Sequence, residues 1–137
     1  MATYTITQKK SLLTDLIQMA SIDYPLKKEE SEFIYAVGKS MNIEPDEVGF
    51  LINNYQEIDK VVPKTTYKRI LQFHRIMIIM FIDNHIHEKE VELLYRIALK
   101  YGYRVDIVHE LLEAMEDHPY GEIPERQLME IHSRARN

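Results

Sequence analysis

Two short acidic turns, 60 residues apart, carry the side chains best suited to chemistry. In the first, Asp23 is followed seven residues later by Glu30; in the second, Asp83 is followed by Glu90. Carboxylates at a recurring spacing form an all-oxygen donor set, which suits a hard divalent cation such as Ca²⁺ or Mg²⁺. His85 and His87 add imidazoles to the second turn, a weaker argument for Zn²⁺ there. The first turn has Pro25 and Lys27 at those places, so a histidine site would belong to one copy only. Neither turn has the Asp-x-Asp/Asn-x-Asp/Asn-Gly spacing of an EF-hand.

The same acids also have a purely structural reading. With Lys27 and His87 as N-caps, Glu30 and Glu90 stand at the third helical position, the acidic half of a capping box. There a carboxylate accepts an orphaned N–H and faces the positive end of the helix dipole, each contact contributing about 0.3–1 kcal/mol. Capping does not account for Asp23 and Asp83, because a negative charge at a helix C-terminus opposes the dipole. The chain therefore offers a cation site (Asp83, Glu90, Asp23, Glu30, with His85 and His87 as weaker ligands) or a pair of capped helices.

The turns sit inside a longer duplication. Residues Leu16–Ile52 align without a gap on Ile76–Leu112, keeping Asp, Glu, Glu and Tyr in register along with the apolar positions between them. Helical periodicity runs through nearly every segment, and nothing alternates like a strand. Helices are expected at about Gln8–Ile22, Lys28–Met41, Pro45–Asn54, Lys64–Ile82, Glu88–Tyr101 and Val105–Glu116, with a short last helix from Pro124 to about Arg134. Pro25 and Gly102 act as breakers, whereas Pro45, Pro63 and Pro124 suit helix starts. The expectation is one all-α domain over residues 1–137, a bundle of about seven helices closed about an approximate two-fold axis with the first and fourth helices central.

Expected core positions are Leu12, Leu16, Met19 and Ala20; Phe33, Ile34, Val37 and Met41; and Val48, Leu51 and Ile52. Leu26 and Ile86 should point inward and pin the turns. Met19, Met77, Met80 and Met115 read as core filler, His74 as a hydrogen-bonded core residue, and Tyr35 and Tyr95 as packed with bonded hydroxyls. Tyr101 and Tyr103 beside Arg104 read as packing around a turn, with a partner surface as the alternative.

Composition narrows the function classes. No cysteine is present, which removes disulfides, thiolate metal sites and thiol nucleophiles. Charge is spread evenly: eight basic against ten acidic side chains in residues 1–68, and nine against twelve in 69–137. No basic face emerges from that distribution, so a nucleic-acid partner is not expected. The apolar run Ile76–Ile82 is far short of the roughly 20 residues that span a bilayer, and no signal peptide is evident, so the expectation is a cytoplasmic protein without membrane insertion. The four glycines form no phosphate loop and no serine sits in a nucleophile elbow, so the protein is read as a non-enzyme.

The pattern Ile82-Asp83-Asn84-His85-Ile86-(x)3-Glu90, with its fainter copy Ile22-Asp23-Tyr24-Pro25-Leu26-(x)3-Glu30, resembles the repeated Asp-Gly-x-Ile-(x)3-Glu turn of the tellurite-resistance protein TerB family. That helical domain also occurs in the N-terminal regions of DjlA-type membrane co-chaperones. The resemblance covers about residues 10–133. It implies a TerB-like all-α fold, a place in tellurite and other stress systems, and metal-binding acidic turns at Asp23, Glu30, Asp83 and Glu90. Glycine after the Asp is replaced by Tyr24 and Asn84, and of the two only Asn readily keeps a left-handed turn. The expected function is thus a stress-associated protein that binds a divalent cation and acts through an unidentified protein partner. The alternative is a plain protein-interaction module whose acids only cap helices; neither reading specifies an oligomeric state.

Overall fold

Several helices in this chain begin where a side chain accepts an orphaned N–H. In the computed structural model, which describes residues 4–22, 25–58, 60–82, 86–118 and 121–135, the elements are α1 (Ile6–Ser21), α2 (Lys28–Ser40), α3 (Pro45–Asn54), α4 (Thr66–Phe81), α5 (Glu88–Tyr101), α6 (Val105–Glu116) and α7 (Glu125–Ala135). A single 3-10 turn, Tyr55–Glu57, follows α3, and no strand occurs among the described residues. The protein is all-α.

The hydroxyl of Thr5 accepts from the Gln8 N–H at 3.1 Å, and that of Thr65 accepts from the Lys68 N–H at 3.2 Å. These caps set the starts of α1 and α4, so α4 opens at Thr66 and not directly after Pro63. A hydroxyl at the N-cap satisfies a donor, whereas proline merely removes one. At the other end, Asn42 (φ 61°) and Gly102 (φ 78°) adopt left-handed conformations after α2 and α5. The Ile43 N–H then donates to the Gly38 carbonyl and the Tyr103 N–H to the Ala98 carbonyl, each at 2.9 Å, closing both helices with the same motif. Caps and stops thus recur at the 60-residue offset seen in the sequence.

Helices α1 and α4 make the most extensive pairing and lie at the centre of the packing. Around them α3 packs directly on α1, whereas α6 reaches α4 through α7. Gly38 allows α2 to approach α3 closely, since a Cβ there would lie 2.7 Å from Val48 Cγ2. One core runs through the helices, with Leu12, Leu16, Met19, Phe73, Met77 and Met80 fully buried and Met115 nearly so. His74 is buried as expected: its Nε2 lies 3.0 Å from the Gly121 carbonyl and 3.2 Å from the Ile123 N–H. Only one of these contacts can be a hydrogen bond in a given tautomer, and burial lowers the imidazole's pKa, favouring the neutral ring.

Two of the expected inward positions are exposed, and four others are only partly buried against the core. Phe33 and Ile52 are only half-buried, Leu26 is half-buried and Ile86 is exposed. Tyr35 is also exposed, at 36%. Tyr95 is half-buried, with its hydroxyl 3.3 Å from His109 Nε2. Phe33, Ile52, Tyr35 and Tyr95 lie on helices, where periodicity alone does not separate core from rim, whereas Leu26 and Ile86 lie in the turns before α2 and α5.

Candidate functional site: two clefts beside the central helices

The carboxylates Glu30 and Glu90 are where helix capping places them. Glu30 Oε1 accepts the Lys27 N–H at 3.0 Å and Glu90 Oε1 accepts the His87 N–H at 2.9 Å. Both side chains are about 95% buried, at the first turns of α2 and α5. Asp23, Asp83 and His85 lie outside the described residues. Among the described residues, no group of three or more His, Asp or Glu side chains is arranged to hold a metal ion.

Two clefts flank the central helices, and sequence reading singled out neither. The first lies between α2 and the C-terminal half of α4. Phe33, Ile78, Phe81 and Ile82 form its apolar floor, and Glu29, Glu32 and Glu122 stand around it, enclosing about 430 Å³. α4 is apolar on nearly every side here, so the face turned away from the core remains apolar at the surface. Phe33 is half-buried because it packs against the core and also lines this groove.

A second cleft of about 290 Å³ lies between α1 and α5, walled on one side by residues 60–62. Ser11 holds that wall: its hydroxyl donates to the Val61 carbonyl at 3.1 Å and accepts the Val61 N–H at 2.9 Å. At the cleft's base Asp15 is 5% exposed, with the Gln72 amide nitrogen at 3.2 Å and Lys60 Nζ at 3.4 Å. Gln18 also bonds Lys60. Burial raises the Asp15 pKa above its ordinary value of 3.8, against the opposing pull of Lys60 and Gln72. Arg96 and Lys100 complete the rim, so three cations face one carboxylate.

The polar cluster was hidden in the sequence by its own regularity. Ser11, Asp15 and Gln18 follow the i, i+4, i+7 spacing of a solvated helix stripe, yet Ser11 and Asp15 are buried. Only Gln72 on α4, polar and 99% buried among apolar neighbours, signals that this stripe meets something. Chemically, the cluster is occupied with itself: Asp15 is held by an ammonium and an amide.

Tyr101 and Tyr103 are packing residues, as the first of the two sequence readings has it. Phe73 contacts both rings, with centroids 5.7 and 5.1 Å away, and Tyr103 stacks edge-on to His132 at 5.5 Å. Burial pushes both phenol pKa values far up, helped at Tyr101 by the Asp15 charge and opposed at Tyr103 by Arg69. No helix among the described residues is long and apolar enough to cross a membrane.

No protein-family model, no characterised protein and no solved structure matches this chain significantly. The likeness to TerB-type turns therefore rests on the two motifs alone.

Proposed function

We propose that the protein is a non-catalytic interaction module that takes a basic amphipathic helix into the groove between α2 and α4. The observation that carries this reading is the groove's composition. Four apolar side chains lie at the surface, and the three charged residues beside them are all glutamates. An apolar stripe ringed by one sign of charge matches a helix with apolar residues at i, i+3, i+4 and i+7 flanked by Lys or Arg. The acids add steering and register, and the buried apolar area supplies the affinity. Cytoplasmic location and membership of a stress-associated, TerB-like system belong to the same proposal, supported by the composition and by the turn motifs respectively.

The test is fluorescence anisotropy with a labelled helical peptide built from leucine and lysine, set against its leucine–glutamate counterpart. Salt-sensitive binding of the basic peptide is expected, reduced about tenfold or more by Ile78→Gln, which removes one buried aliphatic contact. Equal binding of the acidic peptide, or an unchanged affinity in Ile78→Gln, refutes the groove.

A second reading keeps the cation. Glu30 and Glu90 are buried carboxylates beside the acidic turns, so a divalent ion bound through the turns would sit near charge already removed from water. A melting-temperature rise with millimolar Ca²⁺ or Mg²⁺ that disappears in Asp83→Asn with Glu90→Gln supports it. An unchanged melting temperature removes it.

A further inference from the structure

A third cleft, of about 520 Å³, opens where the starts of α4 and α6 meet α7. Lys64, Arg69, Arg104 and His132 line it, and its lining contains no carboxylate. This is a local reversal in a chain of net charge −5.

The donors are held in place. Arg69 donates through Nε to the Pro63 carbonyl and through Nη2 to the Lys64 carbonyl, both at 3.1 Å, which fixes the guanidinium plane and uses two of its five donors. Arg104 is anchored by Asp106 at 2.9 Å and is itself the N-cap of α6, where it makes no side-chain cap hydrogen bond. The positive end of α6 thus faces the cleft without a side-chain acceptor from its own cap. Tyr101 and Tyr103 also line the cleft, and among the described residues their buried hydroxyls have no hydrogen-bond partner. Three cations and two residues with buried, unpaired phenol hydroxyls thus line one cleft.

We propose that this cleft binds the phosphate group of a small phosphorylated molecule. Its donors converge from α4 on one side and from the start of α6 on the other. A tetrahedral oxyanion presents acceptors in all those directions, whereas a carboxylate presents them in one plane. The volume falls in the range of small-metabolite sites, so the phosphate would be one end of a larger ligand.

Inorganic phosphate and pyrophosphate are the probes, read by calorimetry and by melting temperature at an ionic strength held constant with chloride. Saturable binding is expected, with citrate clearly weaker. Lys64→Gln combined with Arg104→Gln, both exposed positions, should weaken pyrophosphate binding at least about tenfold while leaving the anion-free melting temperature close to that of the parent. Tyr103→Phe should weaken it several-fold without lowering that temperature. The proposal is overturned if chloride alone reproduces the melting-temperature rise, if citrate binds as tightly as pyrophosphate, or if the double variant binds pyrophosphate as the parent does.

Discussion

The α2/α4 groove and the α1/α5 cleft are built from helices related by the 60-residue offset, yet their chemistry is opposite. Three lining positions correspond at that offset: Phe33 in the groove with Leu93 in the cleft, Ile78 with Gln18, and Glu122 with Val62. On the α5 wall and residues 60–62 the cleft carries Arg96, Lys100 and Lys60, whereas the groove carries Glu29 and Glu32 on α2 and Glu122 beyond α6. At the base of the cleft the buried Asp15 pairs with the more exposed Lys60. The residues that line each of the two seats decide what it can hold. A repeat in core and caps therefore does not imply a repeat in function.

The sharpest way to break this comparison is at the base of the cleft. Asp15→Ala strips the fully buried Gln72 amide nitrogen of its acceptor and leaves Lys60, Arg96 and Lys100 without a counter-charge in the cleft. A loss of about 2 kcal/mol in urea denaturation is expected, most of it from the Gln72 amide because Lys60 can turn towards water. A change below about 0.5 kcal/mol would mean that the cluster is incidental packing.

Each cleft has one wall on a helix seated by a glutamate, so the next effect should be alike in both. Glu30→Ala and Glu90→Ala are each expected to lower stability by about 1 kcal/mol through loss of the N-terminal acceptor. Chemical denaturation at low and high salt would show whether the two losses are equal. A loss confined to one of them would end the equivalence of the two walls.

The smallest effect is a pH slope. The folded-state pKa of Asp15 lies above 3.8, so the folded protein binds this proton more readily than the unfolded chain. Its contribution to stability is therefore fullest below pH 3.8 and is lost as pH rises through the raised folded value. Asp15→Asn should flatten that part of the stability curve and leave the remainder parallel; an unaltered slope would place the proton elsewhere. The groove has no buried acid of this kind in its lining, and Ile78→Gln should leave the slope untouched.

Helix limits were legible wherever their determinants are local. Pro45–Asn54, Glu88–Tyr101 and Val105–Glu116 are the spans that the periodicity, Pro45 and Gly102 predict. The start of α4 falls two residues past the expected Lys64, because the Thr65 hydroxyl supplies its cap. Glu30 and Glu90 were legible as caps for the same reason: a capping contact joins residues three apart. Asp15 and Gln72 were not, being 57 residues apart and each unremarkable in its own helix. Nor was any concentration of positive charge, since Lys60, Lys64, Arg69, Arg96, Lys100 and Arg104 are dispersed along the chain.

By itself, then, the sequence determined the helical class, the caps and stops, and most of the core, because periodicity and N–H satisfaction act over a few residues. Tertiary structure alone decided which polar stripe is buried, which apolar side chains stay at the surface, and where scattered cations converge. Those outcomes depend on which helices become neighbours, and burial and charge act through space, not along the chain.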